Sequence, residues 1–316
     1  MALRVGIQMD PLENVKIDGD TTFALAEVAQ ARGAELFVYG PNHMSYEQGR
    51  VTAWVRPAKV QRVRETPGVF GEAVKLDLAK DLDVILMRQD PPFDLNYITA
   101  CHLLELISHE TLVVNDPEGV RSSPEKIFPL LHPDIMPPTL VTRNMRDILA
   151  FREQHKDIIV KPIYGHGGAG VFRLKPDDSN LDSLLELFFT HSREPLMVQA
   201  FLPAVSEGDK RIILIDGEPV GAINRRPQTG QVRSNLVVGG TAEKSELSDA
   251  DMRICETIGP ELKRRGLILT GIDVIGGRLT EVNVTSPTGV QAIKALSGID
   301  SAAIFWDVVQ QKLADR

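Results

Sequence analysis

The stretch Gly271-Ile-Asp-Val-Ile-Gly-Gly-Arg-Leu-Thr-Glu-Val-Asn-Val-Thr-Ser-Pro-Thr288 decides how this chain folds. Apolar and polar residues alternate on either side of Gly276-Gly277, the pattern of two antiparallel strands joined by a tight turn. The register follows from the same letters. A two-residue loop pairs Ile275 with Arg278 and puts Asp273 and Glu281 on opposite faces, each mixing apolar with charged side chains. A three-residue loop, Gly276 to Arg278, pairs Ile275 with Leu279 and Asp273 with Glu281. The second register is the one expected. Ile272, Val274, Thr280, Val282 and Val284 then share an apolar face, and Asp273, Glu281 and Asn283 share the other.

Two carboxylates directly opposite each other repel unless a cation lies between them. Magnesium meets that need, because in a nucleotide site it takes a few hard oxygen ligands and leaves room for phosphate oxygens; manganese suits the same donors. A bridging lysine or arginine is the plainer alternative. Asn283, on the same face as Glu281, favours the metal, since a salt bridge does not need it.

Upstream lies Gly165-His-Gly-Gly-Ala-Gly170, whose letters match the dinucleotide fingerprint. That fingerprint requires a helix to open at the loop, whereas Val171-Phe-Arg-Leu-Lys175 alternates like a strand, so a nicotinamide-dependent dehydrogenase is disfavoured. Strand, glycine loop and strand make a hairpin whose bare amides, at Gly165, Gly167 and Gly168 among others, can lie over phosphates. A plain flexible turn fits the loop equally well when it is taken alone. Lys161 ends the apolar strand Ile158 to Pro162 and is costly there without an anion; a nucleotide phosphate or a core carboxylate would answer. Lys126, expected on a helix from Ser122 towards the prolines at 133, 137 and 138, could add a second cation. Asp209-Lys210-Arg211 and Arg225 follow, and then Arg226 to Gly240, polar and rich in turn formers, which reads as a flap carrying Arg233 and Asn235. Guanidinium forks grip carboxylates and phosphates in a fixed plane, so several arginines near a metal-phosphate site suggest ligands.

The amino-terminal part has a different pattern. Leu3 to Met9 as strand, Thr21 to Arg32 as helix and Glu35 to Tyr39 as strand form a βαβ opening, and Asp83 to Met87, Tyr97 to Ser108 and Thr111 to Asn115 continue it. Residues 1–120 are thus expected to form an open parallel sheet. Ligands in such sheets bind beyond the carboxyl ends of the strands, where Asp10 and Arg88 stand. The remaining helices are expected at Asn144 to His155, Leu181 to Thr190, Asp249 to Arg265 and Ser301 to Leu313.

Bulk properties narrow the class. The chain has 316 residues, 43% hydrophobic and 25% charged, enough for two or three packed units. A net charge of -8 argues against a nucleic-acid partner. Cys101 and Cys255 lie far apart and in no CxxC spacing, which predicts neither a disulfide framework nor a zinc site and fits a reducing cytoplasm. No apolar run approaches the roughly 20 residues of a membrane span.

Several segments together resemble the bacterial glutathione synthetases of the ATP-grasp superfamily, essentially end to end. They are Met9-Asp10-Pro11, Val84-Ile-Leu-Met-Arg-Gln-Asp-Pro-Pro-Phe-Asp94, Thr139-Leu-Val-Thr-Arg-Asn144, Gly208-Asp-Lys-Arg211 and Glu281-Val-Asn-Val-Thr-Ser-Pro-Thr288. The resemblance implies an α/β chain with an N-terminal open parallel-sheet domain over residues 1–122, a central lid over 123–203 and a C-terminal catalytic mixed-sheet unit over 204–316. It implies ATP held by Lys126, Lys161 and the glycine loop, with Gln199, Ala200, Phe201 and Leu202 beside adenine and Asp209 near the ribose. Asp273, Glu281 and Asn283 would take magnesium or manganese. Asp10, Arg88, Arg211, Arg225, Arg233, Asn235, Ser286, Pro287 and Thr288 would surround the peptide and an acyl phosphate. The implied reaction joins γ-glutamylcysteine to glycine at the cost of ATP, in a cytoplasmic homo-oligomer, with a tetramer among the options. Another ATP-grasp carboxylate-amine ligase and an ATP-binding regulator without catalysis are the alternatives. Tyr164 and His166 depart from the aspartate and methionine common in that family's glycine loop.

Overall fold

The computed structural model describes residues 2–227 and 241–316, and its strands fall into three sheets. The first contains Arg4–Gln8 (β1), Glu35–Tyr39 (β2), Met44–Glu47 (β3), Arg50–Val60 (β4), Gly68–Phe70 (β5), Val74–Asp77 (β6), Val84–Met87 (β7) and Leu112–Val114 (β8). Its backbone order is β3-β4-β2-β1-β7-β8, with β5 and β6 also paired to β4. The expected parallel sheet is present in β2, β1, β7 and β8. Residues 44–77 depart from it. They form antiparallel strands around the long β4, whose burial alternates along most of its length as in a sheet with one wet face. Hairpin-type connections there need no crossover helix, so the βαβ rhythm stops at β2 and resumes at β7.

A second sheet, ordered β11-β10-β12-β9, is built from Thr139–Thr142 (β9), Ile158–Pro162 (β10), Phe172–Leu174 (β11) and Leu196–Ala200 (β12). Helices Met145–His155 and Leu181–His191 cover it, and its core of Ile148, Ile158, Val160, Leu174, Leu181, Leu185, Leu196 and Val198 is its own. The third sheet, ordered β15-β14-β13-β16-β17, takes Asp209–Ile215 (β13), Glu218–Arg226 (β14), Thr241–Lys244 (β15), Leu269–Ile275 (β16) and Arg278–Asn283 (β17). Its apolar residues Ile212, Leu214, Ile272, Val274, Leu279 and Val282 share one continuous core with Phe37, Val51, Ile85 and Tyr97 of the first unit. Asn115 joins the two units by polar contacts. Its Nδ2 donates to the carbonyls of Leu269 and Val284, both at 2.8 Å, and its Oδ1 accepts from Leu269 N at 2.7 Å. The last helix, Ser301–Ala314, folds back on helix Thr21–Ala31, where Trp306 Nε1 donates to Leu25 O at 2.8 Å.

Helix Asp249–Arg264 lies against the third sheet through Ile254, Cys255, Ile258 and Leu262. Its start is a capping box: Ser248 Oγ accepts from Asp251 N, and the Asp251 carboxylate accepts from Ser248 N at 2.8 Å. Lys210 Nζ pairs with the same carboxylate. Replacing Ser248 by alanine is expected to cost about 1 kcal/mol, read as a lower urea midpoint at unchanged slope.

The segment after residue 121 differs from expectation. The α-helix there is Pro117–Arg121, capped by Asp116 with Pro117 in its first turn, and residues 122–138 hold turns and two short 3-10 helices, Phe128–Leu131 and Pro133–Ile135. Prolines at 124, 129, 133, 137 and 138 remove amide donors at a spacing that no α-helix tolerates. Lys126 therefore sits on a turn. One further helix, Val290–Ser297, begins at Gly289, whose φ of 123° and lack of a capping side chain leave little N-terminal signal in the sequence.

Candidate active site

The hairpin of β16 and β17 combines both registers considered for it. The loop has two residues, Gly276 and Gly277, with φ of 55° and 70°, as the turn type matching strand twist requires. Val274 pairs with Leu279 and Ile275 with Arg278, so the three-residue loop does not form. The register then shifts by one, with Thr280 the unpaired extra residue, and Asp273 lies opposite Glu281 as expected. The bulge exchanges two side chains: Leu279 enters the apolar core in place of Thr280, which lines the cleft between the second and third sheets and donates from Oγ1 to Asp273 O at 3.1 Å.

Ladder register extends the acidic pair across the sheet. Arg211 on β13 faces Asp273 on β16, which faces Glu281 on β17. Arg211 Nε and Nη2 grip Asp273 Oδ1 and Oδ2 at 2.6 and 3.1 Å, and Arg225 Nη2 reaches the same carboxylate at 2.9 Å and Asp209 Oδ2 at 2.7 Å. Lys126 Nζ pairs with Glu281 Oε1 at 2.8 Å and donates to the carbonyl of Gly165. Each carboxylate thus has its own cation from the chain. Burial by itself would raise the carboxyl of Asp273, but Arg211 and Arg225 outweigh it and hold the group well below the usual carboxylate range. Burial would likewise lower Arg225 and Lys126, yet their acidic partners keep both above their ordinary values.

Lys161 stands apart. Buried in β10, it is lowered to about 8 by desolvation, against the pull of Glu281, Asp209 and Asp273 and with Lys126 pushing it further down. A lysine held charged at neutral pH at such cost is a strong anion receptor. It lines a cleft of about 890 Å³ together with Lys126, Gly165, His166, Gly167, Gly168, Gln199, Ala200, Phe201, Leu202, Asp209, Asp273 and Glu281. The glycine loop joins two antiparallel strands, β10 and β11, as its sequence context predicts. Gly167, Gly168 and Gly170 have φ of 60°, 79° and 70°, which L side chains rarely adopt. Gln199 spends its amide on Thr139 Oγ1 at 2.9 Å, so the chain from Ala200 to Leu202 offers the cleft mainly backbone and apolar surface. Ile159, Val205, Ile275 and Thr280 also line it; as ordinary core letters they carried no signal.

The peptide-side candidates converge at the carboxyl edge of the first sheet. Asp10 and Arg88 follow the neighbouring strands β1 and β7. Arg88 donates from Nε to Thr22 Oγ1 at 3.0 Å and from Nη2 to Pro287 O at 3.1 Å, Asp10 accepts from Asp90 N at 2.9 Å, and Ser286 Oγ donates to Asp90 Oδ1. Thr288 O accepts from Arg211 Nη1 at 3.0 Å, which joins this loop to the acidic line. Asp90, Thr22 and Glu125 were not singled out by the sequence, although Asp90 lies inside a quoted motif. Arg233 and Asn235, with all of the expected flap Arg226 to Gly240 beyond Pro227, lie outside the described residues.

Among the described residues no group of three or more histidine, cysteine, aspartate or glutamate side chains is arranged around a metal position. The donors present nevertheless fit a magnesium ion brought with phosphate. They are oxygens only: Asp273, Glu281 and Asn283, whose Nδ2 donates to Gly271 O at 3.0 Å and leaves its Oδ1 as a donor. Both cysteines are buried and free, and no helix of the described residues is long and apolar enough to cross a membrane.

The comparisons with known proteins agree along the whole chain. Residues 3–121 match the prokaryotic glutathione synthetase N-terminal domain and residues 125–298 the prokaryotic glutathione synthetase ATP-grasp domain. A glutathione synthetase of Brucella melitensis is 54% identical over 312 residues, covering 99% of this chain and 100% of that protein, and one of Shewanella oneidensis is 41% identical over 98% of this chain and 99% of its own length. Among solved structures, the D-cycloserine synthetase DcsG superposes with a TM-score of 0.69 at 17% identity over 98% of this chain and 99% of its own. An ATP-grasp RimK domain protein from Sphaerobacter thermophilus does so with 0.64 at 18% over 96% and 98%. At those identities the two structures speak for the fold alone. With the ATP-grasp fold, two matching domains and full-length relatives all in accord, the chain belongs to the prokaryotic glutathione synthetases, a family of ATP-dependent ligases.

Proposed function

We propose that the chain joins γ-glutamylcysteine to glycine, using the cleft between the second and third sheets for MgATP and the loop Ser286 to Thr288 for the dipeptide. The observation that carries this reading is the juxtaposition of the two: Arg211 bonds both Asp273, in the cleft, and Thr288 O, in the loop. A carboxylate oxygen of the dipeptide attacks the γ-phosphorus of ATP, the bond to the bridging oxygen breaks and ADP leaves. The unprotonated amine of glycine then attacks the acyl carbon, phosphate departs with the electrons of the carbon–oxygen bond, and the nitrogen gives up one proton to the departing phosphate.

The chain needs no nucleophile for this chemistry, only charge placement and exclusion of water. Lys126, Lys161 and the amides of the glycine loop hold phosphates, Ala200 to Leu202 border adenine, and Asp209 lies towards the ribose. Arg88, Asp10, Ser286, Pro287 and Thr288 seat the dipeptide. Arg211 and Arg225 keep Asp273 ionised and in place. A metal ion on Asp273, Glu281 and Asn283 would supply charge neutralisation on the transferring phosphoryl group. We place Arg233 and Asn235 beside the acyl phosphate, the cytoplasm as the compartment, a homo-oligomer as the assembly, and 1–122, 123–203 and 204–316 as the domains.

ADP release with MgATP, γ-glutamylcysteine and glycine, each omitted in turn, tests the reading. Turnover is expected to need all three and to yield glutathione by mass. Turnover with another amine in place of glycine would leave a ligase with a different acceptor. ATP binding without turnover would leave a regulator.

A further inference from the structure

We infer that Glu125 is a positioning residue for the dipeptide, acting through the loop that receives it; this inference rests on the function proposed above. Residues 125 and 126 run beside β17, the edge strand of the third sheet, and tie to it at successive points. The carbonyl of Glu125 accepts from Val282 N at 3.0 Å, and Lys126 Nζ pairs with Glu281. The Glu125 side chain takes the next step. Its Oε1 accepts from Val284 N at 3.1 Å, from Thr285 N at 3.2 Å and from Thr285 Oγ1 at 2.7 Å.

Three donors on one carboxylate oxygen, two of them consecutive backbone amides, fix the direction in which the chain leaves β17. The next residues are Ser286, Pro287 and Thr288. Val284 is held from its other side, where its carbonyl accepts from Asn115 at 2.8 Å. Past Thr285 the restraints come from Asp90, Arg88 and Arg211, side chains placed at or beside the ligands. Glu125 is thus the last restraint before the loop that no substrate contact requires. It sets the spacing between Glu281, on the phosphate side, and Ser286, on the peptide side. Burying a carboxylate for this task is costly unless all its strong donors stay in place, so its loss should release the exit of β17 rather than merely weaken it.

The test compares Glu125→Ala with Glu125→Gln, which keeps an acceptor oxygen at the same reach. Glu125→Ala is expected to raise the KM for γ-glutamylcysteine about tenfold or more, since an ångström-scale misplacement far from the chemistry can cost up to ~100-fold. The dissociation constant of a non-hydrolysable ATP analogue should change by less than about twofold, and Glu125→Gln should restore most of the dipeptide KM. A folded Glu125→Ala with unchanged dipeptide KM, or one whose nucleotide and dipeptide constants worsen equally, would overturn the inference. So would Glu125→Gln failing as fully as alanine. Should Glu125→Ala not fold, Thr285→Val removes only the 2.7 Å bond; it is expected to shift dipeptide KM in the same direction to a smaller extent, and no shift would count against the inference. Wild-type turnover, measured first, separates failure of the proposed function from failure of this step.

Discussion

Asp273→Asn is expected to cost both catalysis and about 3–5 kcal/mol of stability, because it removes one charge from a buried cluster and leaves the Arg211 guanidinium uncompensated. Arg211 loses its only ionic partner among the described residues, while Arg225 keeps Asp209. Glu281→Gln should behave differently. Its partner Lys126 also donates to Gly165 O and Glu281 is partly exposed, so activity should fall with a much smaller loss of stability. The pH dependence follows from the depressed carboxyl of Asp273. A group whose folded pKa lies below its unfolded value contributes stability that is present above the unfolded pKa, near 3.8, and lost as pH falls below it towards the folded one. Urea denaturation from pH 7 to pH 3 should therefore show the wild type losing stability below about pH 4 and the variant losing less. Equal acid sensitivity in the two proteins would contradict the cluster's assigned weight.

Lys161→Met is expected to move binding and stability in opposite directions. With its pKa lowered from 10.5 to about 8, the folded chain binds fewer protons than the unfolded chain between those values, so stability rises with pH across that window. Below pH 8 the lysine is charged in both states and the full penalty, on the order of 3 kcal/mol, is present. Methionine fills a similar volume without charge. Its variant should unfold at a higher temperature than wild type at pH 7, with the gap narrowing towards pH 10.5. Its affinity for ATP should drop about 10–100-fold, the worth of a charge-assisted contact to a buried anion. A variant less stable than wild type at pH 7 would show that Lys161 is held by its carboxylate neighbours rather than strained by burial.

How far each feature could be read from the letters depended on its range. The glycine hairpin was legible because the apolar strand before Gly165 to Gly170 and the alternating one after it are local patterns, and they sufficed to set aside a dinucleotide fold. The opposition of Asp273 and Glu281 was legible too, though by an incomplete route. A loop count foresaw the pair but could not foresee that a two-residue turn and a bulge at Thr280 would produce it together, since a bulge is chosen by the sheet's twist and by what each face must bury. The helix expected from Ser122 does not form, because Pro124 and Pro129 fall within it as well as the three prolines that were to end it.

The hairpins, the strand-end places of Asp10 and Arg88, and the family follow from the amino-acid letters alone, because these rest on short spacings and on motifs whose residues are neighbours in the chain. Which cation meets which carboxylate depends instead on how the sheets pack. Arg211 and Arg225 stand 62 and 48 positions before Asp273 in the chain, and Lys126 stands 155 before Glu281. Their pairing depends on sheet order and register, which bring β13 against β16 and the turn at residues 125–126 against β17. Charge attracts only over a few ångströms in a screened solvent, so what these side chains neutralise is set by where packing of the apolar faces delivers them.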